Sequence, residues 1–315
     1  MDVLGIDVSK ADFQACLLQG KRLARQTFVN SPVGYRRLHS WLKNRRVFKV
    51  HACMEATGSY WTGLAKALHD AGMTVSVVNP SRTALFARSQ LRRTKTDRVD
   101  AEMIAQFCLT QRPLAWTPPA PEILELRGLL SYRDELVAAR TRLKQISAEI
   151  HATKALRRLQ SDHLDNVNDA IAEVESQIRK LLKVSDGLHS AVATLEGVRG
   201  IGFITAVSIA AKLPVERLRD GKAAAAYVGL TPRERQSGTS VQGKPRICKT
   251  GNASLRRDLY MPALVAIRHN PILAAFAARL RERGKPPKVI IAAVMRKLIV
   301  LAFTLLKHPR PALIA

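Results

Sequence analysis

Residues 3–9 read VLGIDVS, and this short apolar run with one acid decides the fold of the first part of the chain. Its composition predicts a buried strand that carries Asp7 near its end. Residues 13–18 and 23–28 predict two further strands, which a turn rich in polar residues joins. The chain is therefore expected to open with a three-stranded meander.

The segments that follow predict helices and strands in alternation. Ser31 and Pro32 indicate a helix start, because serine caps helices and proline is favoured at their first position. Further on, we expect a strand at residues 47–54 that ends at Glu55, a helix from residues 57–59 to Gly72, and a strand at residues 74–78. The order β-β-β-α-β-α-β is that of the ribonuclease H-like fold, so we predict an α/β domain of this class.

Two acids, Asp97 and Asp100, open another helical pattern, for which Thr96 is the predicted N-cap. Acids in a first helical turn complement the helix dipole, and this structural explanation suffices for either one alone. Asp7 and Glu55 each stand where a strand ends, however, so four carboxylates would converge at one end of the sheet. Such a cluster repels itself unless cations neutralise it, which predicts divalent-metal phosphodiester chemistry with two Mg²⁺ ions about 4 Å apart.

The charge of the chain indicates a polyanionic partner. The formal net charge is +26 over 315 residues, with 47% hydrophobic residues, so sizeable cores coexist with a strongly basic surface. Nucleic acid is the common partner of such a surface. We predict no membrane span, because apolar runs are short, and no signal peptide. The four cysteines are far apart without a CxxC pair, which argues against zinc and disulfides and favours a reducing cytoplasm.

The stretch at residues 229–258 combines basic residues and glycines around two serines, Ser237 and Ser240. Its basic residues are Arg233, Arg235, Lys244, Arg246, Lys249, Arg256 and Arg257. Cations between glycines suit close approach to phosphate, and they would stabilise the charge that develops when a serine attacks phosphorus. The alternative is a solvated basic hairpin whose Ser-Gly pair is a turn. Of the two serines, Ser237 is favoured because Gly238 can turn the chain and expose its hydroxyl.

The middle and the end of the chain predict helices. After a proline-rich break at residues 112–121, leucines and isoleucines recur in heptads, which predicts an antiparallel helical hairpin or an intermolecular coiled coil. Residues 197–202, GVRGIG, suit either a phosphate-holding hairpin before a helix or a plain helix connection. Helices are also expected at residues 222–228, 254–268 (kinked at Pro262) and 289–306, with a basic segment at residues 279–288 between the last two.

Several motifs together identify a resemblance. They are GIDVSK at 5–10, MEATGSYW at 54–61, VVNP at 77–80, RRTKTDRVDA at 92–101, RPLAW at 112–116, GVRGIG at 197–202, and GLTPRERQSGTSVQGKPRICKTGNASLRRDLYMPA at 229–263. In this order, the chain resembles along nearly its whole length the DEDD transposases of bacterial insertion sequences, described as bridge-RNA-guided recombinases.

The resemblance implies a division of labour among three regions. A RuvC-like domain (1–112) would hold Mg²⁺ through Asp7, Glu55, Asp97 and Asp100. A linker with coiled-coil helices (113–188) and a mostly α-helical transposase domain (189–315) would follow, with Ser237 forming a covalent phosphoserine with DNA. Lys95 and Arg199 would join the basic residues above in binding nucleic acid.

The resemblance also implies partners. Target and donor DNA would be chosen by a noncoding guide (bridge) RNA, and four subunits would assemble as a dimer of dimers with composite active sites. Such an enzyme would act in the bacterial cytoplasm at the nucleoid.

Other functions remain open from the residues alone. A RuvC-like, Mg²⁺-dependent endonuclease would use water as nucleophile, with Ser237 only binding phosphate. An ATP-using enzyme of the same fold class is a further alternative, but the sequence lacks the glycine-rich phosphate loops that it would need. A nonenzymatic nucleic-acid packaging protein would explain the charge and leave the four acids unexplained.

Overall fold

The computed structural model describes residues 2–90, 97–149, 153–237 and 241–308, with only the backbone course of residues 97–99, 148–149, 234–237 and 241–245. The chain forms two compact units, Met1–Pro119 and Ala120–Ala315. Thr96, Lys95 and Ser240 lie outside the described residues, as do the side chains of Asp97, Ser237, Arg235 and Lys244.

The first unit is built on a five-stranded mixed sheet. Its strands are β1 (Val3–Val8), β2 (Asp12–Gln19), β3 (Arg22–Val29), β4 (His51–Glu55) and β5 (Thr74–Val78). The spatial order is β3-β2-β1-β4-β5, with β1, β2 and β3 antiparallel and β1, β4 and β5 parallel. This confirms the predicted ribonuclease H-like topology.

Four helices accompany this sheet: α1 (Pro32–Lys43), α2 (Thr62–Asp70), α3 (Pro80–Ser89) and α4 (Asp97–Gln111). The predicted cap of α1 is confirmed, since the Ser31 side chain accepts a hydrogen bond from the Gly34 amide. The predicted start of α2 at residues 57–59 is wrong: Gly58 has a φ of 59°, a left-handed conformation that interrupts a helix. Helix α3 was not expected, although Asn79 caps it and Pro80 opens it.

Helices cover both faces of the sheet. On one face, α1 and α2 pack with the sheet in a core that includes Phe13, Leu38 and Leu64. On the other face, α4 brings Ile104 and Phe107 against the sheet. Both faces of β1 and β4 are therefore buried, which explains their nearly continuous apolar sequences.

The motif RPLAW at 112–116 is fixed to the first unit. The Ser76 hydroxyl lies within hydrogen-bond distance of the Pro113 and Leu114 carbonyl oxygens (3.0 and 2.8 Å), and the Trp116 amide donates to Val75. Trp116 is buried and packs edge-on against Trp61. The first unit therefore includes most of the proline-rich segment and extends to Pro119.

In its described residues, the second unit consists of helices and one β-hairpin. Its helices are α5 (Pro121–Glu149), α6 (Lys154–Lys183), α7 (Asp186–Glu196), α8 (Phe203–Lys212), α9 (Gly221–Val228), α10 (Ala253–Asp258), α11 (Tyr260–His269), α12 (Pro271–Glu282) and α13 (Pro287–Lys307). The antiparallel hairpin consists of β6 (Pro232–Ser237) and β7 (Val241–Ile247).

Helices α5 and α6 form an antiparallel hairpin within the chain. Arg133 Nε donates to Glu175 Oε1 at 2.8 Å, and Arg140 Nη1 lies 3.5 Å from Asn168 Oδ1. Both pairs have the same sum of residue numbers, as an antiparallel pair requires. A coiled coil is not established by these contacts: in α5 the predicted heptad residues Leu129, Leu136 and Leu143 are half-buried, whereas Leu126 and Leu130 are buried.

Two features of the terminal helices follow from their sequences. The expected helix at 254–268 breaks at Leu259, because Pro262 lacks an amide hydrogen and its ring crowds the carbonyl four residues earlier. Helix α13 is long and apolar enough to span a membrane by length and composition, as is the bent α10–α12 segment if taken as one span. Core helices of soluble proteins pass the same test, and Val294, Leu298 and Ala302 of α13 are fully buried.

Candidate active site and nucleic-acid interface

Asp7 and Glu55 lie beside each other at the carboxyl ends of two neighbouring parallel strands. The pairing of β1 with β4 matches Gly5 to Cys53 and Ile6 to Met54, and the two acids are the next residues. Neighbouring strands lie about 4.8 Å apart. Because side chains alternate along a strand, Asp7 shares a face with Gly5, and Glu55 shares it with Cys53. Both acids are half-buried.

Helix α4 crosses this face in the direction opposite to β1. The position of a Cβ atom on Gly5 would lie 2.1 Å from the Ala101 carbonyl oxygen, and Cys108 Sγ lies 3.8 Å from the carbonyl oxygen of His51, at the start of β4. Since Cys108 is level with the beginning of the strands and Ala101 with their middle, the first turn of α4 lies at their carboxyl ends.

The first turn of α4 supplies the remaining acids. Ala101 and Ile104 are buried against the sheet, and residues 97 and 100 precede them by about one helical turn on the same face. Asp100 is half-buried there. The structure thus brings Asp7, Glu55 and Asp100 to one end of the sheet, together with backbone position 97, whose side chain is outside the description.

The acids fit a divalent cation by their chemistry. All four predicted ligands are carboxylates, and Mg²⁺ prefers oxygen donors, usually with several waters retained. Among the described side chains, no group of three or more histidines, cysteines and acids is already gathered closely enough to hold a metal ion. A complete set of metal ligands therefore requires either the Asp97 side chain or a rearrangement of the acids on metal binding.

Thr83 of α3 is a residue of this site that the sequence analysis missed. Its hydroxyl lies 2.5 Å from Glu55 Oε1 and 2.9 Å from the Pro80 carbonyl oxygen, and the residue is 4% exposed. A hydroxyl has one proton to donate, and the shorter contact assigns it to the carboxylate. Asn79 and Pro80, the cap and first residue of α3, are the signal that could have placed Thr83 on a helix beside Glu55.

Two other buried groups near the acids have structural roles. Glu102, which is 8% exposed, forms a salt bridge with Arg25 of β3 and so ties α4 to the sheet. Hydrogen bonding to Cys108 and burial raise the pKa of the Cys53 thiol, which therefore stays protonated. The Cys53 thiol is therefore uncharged, and the negative charge of Glu102 is paired with the Arg25 guanidinium.

The predicted nucleophile lies on the hairpin of the second unit. Ser237 is the last residue of β6 and pairs with Val241, the first residue of β7, so it lies at the end of the hairpin where the two strands are connected. Arg233 and Arg246 form a cross-strand pair near the base of the hairpin, and both are exposed. Lys249 is exposed as well, and so is Arg199 in the connection between α7 and α8.

Two of the predicted nucleic-acid contacts are engaged within the protein. Arg256 Nη1 donates to the carbonyl oxygens of Val228 (2.8 Å) and Lys249 (3.1 Å). Arg257 forms salt bridges with Asp134 and Asp258. Arg256 thus joins the end of β7 to α9 and α10, and Arg257 joins α10 to α5, which limits the availability of both arginines to phosphate.

The connection GVRGIG at 197–202 has a packing requirement of its own. Gly200 has a φ of 110°, and a Cβ atom there would lie 2.8 Å from the Cβ of Ala266 in α11. This glycine is therefore explained by the close approach of two backbones.

Comparisons with known proteins agree over most of the chain. Residues 4–150 match the family model for the DEDD transposase of IS110, and residues 192–278 match the model for transposases of the IS116/IS110/IS902 family. The pilin gene-inverting protein of Moraxella bovis is 30% identical over 98% of this chain and 96% of its own length. The transposase for insertion sequence element IS1111A of Coxiella burnetii is 23% identical over 85% of this chain and 78% of its own.

One solved structure is also similar. Thermus thermophilus RuvC matches with a TM-score of 0.27 and 18% identity, covering 36% of this chain and 99% of its own. The two family models, with the near full-length relative, decide the classification: this chain belongs to the DEDD transposases of the IS110 family, enzymes that act on DNA strands.

Proposed function

We propose that this transposase recombines DNA through a covalent phosphoserine on Ser237, with Mg²⁺ held by Asp7, Glu55, Asp97 and Asp100. The observation that carries the proposal is the convergence of acids at the carboxyl ends of β1 and β4, in a chain with a net charge of +26. A nucleic-acid enzyme concentrates carboxylates at one point of a basic surface when cations are needed there. The relative named for inverting a pilin gene supports recombination as the outcome.

The serine step would exchange one phosphodiester for another. The Ser237 oxygen attacks phosphorus, its proton passes to a carboxylate, and the bond from phosphorus to one sugar oxygen breaks. That sugar oxygen leaves as a hydroxyl after taking up a proton. In the second half of the reaction, a hydroxyl of the partner strand attacks the phosphoserine and releases the serine. No external energy source is needed, because each broken bond is replaced by one of the same kind.

The side chains would divide the work of this step. Mg²⁺, when bound, neutralises charge on the phosphate oxygens and on the carboxylates. Asp7 and Glu55 would supply metal ligands from the ends of two rigid strands. The Thr83 hydroxyl would orient the Glu55 carboxylate. Asp100 would supply a further metal ligand from α4. Arg233 is exposed and lies four residues before Ser237 on β6, and it would position phosphate.

We also propose that a noncoding RNA selects the DNA and that four subunits act together, so that the acids of one subunit serve the serine of another. The support is the family resemblance and the high positive charge. Backbone contacts suffice when base pairing with a guide reads the sequence, and many exposed cations supply such contacts.

The test of the acidic site combines cleavage with a stability measurement. Asp7→Asn, Glu55→Gln and Asp100→Asn should each lower strand cleavage at least 100-fold, and each should abolish the rise in melting temperature that Mg²⁺ gives the wild type. Asp70→Asn, at an exposed surface acid, is the matched control and should change neither. Full cleavage in EDTA, or in any two of the site variants, would contradict the proposal.

A further inference from the structure

The second unit contains a groove whose apolar lining none of the roles above uses, although Arg246 and Lys249 at its edge are among the predicted nucleic-acid contacts. It has a volume of about 980 Å³ and lies between α13, α12 and the base of the β6–β7 hairpin. Its floor is apolar, formed by the buried or half-buried residues Leu230, Ile247, Phe276, Ala293 and Val300. A groove of this size is large enough for a small organic ring system with its substituents.

Within the described part of the chain, every charged side chain that lines the groove is basic. The basic side chains on its rim are Lys222, Arg246, Lys249, Lys288, Arg296 and Lys297. No acid contributes to the lining, and none of these cations forms a salt bridge with an acid in the described part of the chain. Six like charges around one opening repel one another, so an anionic ligand would be favoured there.

An apolar floor below a cationic rim matches a nucleotide whose base is unpaired. In a duplex the base is stacked and only its edge is accessible, so an apolar floor gains nothing from it. An unstacked base can place its ring on apolar and aromatic side chains while its phosphates stay at the mouth. The Phe276 ring is the aromatic member of this floor, and Lys297 Nζ lies 5.3 Å from its centroid.

We propose that this groove binds an unpaired nucleotide of the DNA strand on which the enzyme acts. The hairpin that forms one wall also carries Ser237, five residues beyond Pro232 and so about 17 Å further along β6 at the usual rise of a strand. An unstacked base held there would fix the strand near the serine. The inference rests on the proposed function insofar as Ser237 acts on that strand.

Charge complementarity separates this ligand from the other possible occupants. A second copy of the chain, with a net charge of +26, would bring further positive charge to a cationic rim. An acidic amphipathic helix would suit the charge, and RNA would suit both the charge and the floor. Both are therefore outcomes of the test.

The experiment compares two DNA duplexes of equal length, one fully paired and one with a single bulged fluorescent adenine analogue. The wild type should bind the bulged duplex more tightly and change its fluorescence. Ala293→Leu, which fills the floor with an aliphatic chain, and Phe276→Leu, which removes the ring face, should each weaken binding of the bulged duplex about five- to tenfold. Affinity for the paired duplex should not change.

Ala275→Leu is the matched control, since Ala275 is exposed on α12 outside the groove. Circular dichroism checks that each variant is folded. If Ala293→Leu does not fold, the binding test relies on Phe276→Leu. Equal affinity of wild type and both variants for the bulged duplex would overturn the proposal and leave the proposed function intact.

Other results would also overturn it. If the two groove variants lose five- to tenfold in affinity only for a bulged RNA, the groove binds RNA. If they change the sedimentation coefficient and leave DNA binding unchanged, the groove binds another protein chain. Failure of the wild type to bind even the paired duplex would contradict the proposed function itself.

Discussion

The Ala101 carbonyl oxygen lies 2.1 Å from the position that a Cβ atom on Gly5 would occupy, and the Ala105 nitrogen lies 2.3 Å from it. Helix α4 therefore rests directly on the backbone of β1. The contact holds the first turn of α4, with Asp100, at the end of the strand that carries Asp7. Gly5 is thus required by the geometry of the acidic site and not by a turn.

Gly5→Ala should displace α4 and separate the acids. We expect it to lower the free energy of unfolding by about 1–3 kcal/mol or more, because backbone atoms cannot move aside as side chains do, and to lower strand cleavage over 10-fold. Gly128→Ala, in the exposed interior of α5 with no atom within 4 Å of the new Cβ, should instead stabilise slightly. Chemical denaturation and cleavage assays measure both effects, and wild-type behaviour of Gly5→Ala would contradict this account.

Thr83 should act through the orientation of Glu55. Thr83→Val keeps the shape but removes the hydroxyl, and a hydrogen bond to a charged group contributes about 1.5–3 kcal/mol. The single-turnover cleavage rate should fall roughly 10- to 100-fold, with a higher Mg²⁺ concentration needed for half the maximal rate. Thr83→Ser should restore both values. If Thr83→Val retains the wild-type Mg²⁺ dependence, the hydroxyl has no positioning role.

A partly buried ion pair joins α8 and α10 in the second unit. Lys212 Nζ lies 2.9 Å from Asp258 Oδ2, the Ser208 hydroxyl donates to the same oxygen at 2.6 Å, and the two charged side chains are 12% and 15% exposed. Asp258→Asn should lower the free energy of unfolding by about 3–5 kcal/mol, because it leaves the lysine charge without its partner. Removing the exposed Lys66–Asp70 pair by Asp70→Asn should leave the denaturation midpoint unchanged.

Nucleic-acid affinity should depend steeply on salt, since phosphate contacts release counterions. Arg233→Ala should weaken binding of all sequences alike and reduce the slope of log K against log salt by about one. Arg256→Ala should lower stability and leave the slope nearly unchanged, because this arginine binds two backbone carbonyls. Sequence-specific, salt-insensitive binding of DNA by the protein alone would contradict guidance by RNA.

The sequence predicted the sheet well because its signals are local. The short apolar strand segments, the Ser31 cap and the acids at strand ends each depend on a few adjacent residues. The topology and the placement of Asp7 beside Glu55 follow from parallel pairing once the order of elements is known. The start of α2 was missed because Gly58 adopts a positive φ that propensity does not register.

The supporting residues of the site could not be predicted in this way. The role of Thr83 depends on α3 passing beside the end of β4, and that of Gly5 on α4 packing across β1. Both are contacts between segments far apart in sequence. Likewise, Arg256 and Arg257 were expected to meet phosphate because charge is visible in a sequence, whereas their carbonyl and carboxylate partners are not.

Denaturing gel electrophoresis of a reaction on labelled DNA tests the central claim, that Ser237 becomes covalently joined to the strand. Wild type and Ser240→Ala should give a protein–DNA adduct that survives denaturation, and Ser237→Ala should give none while still binding nucleic acid. Cleaved DNA with free 5′-phosphate ends and no adduct in the wild type would contradict the claim and favour an endonuclease that uses water.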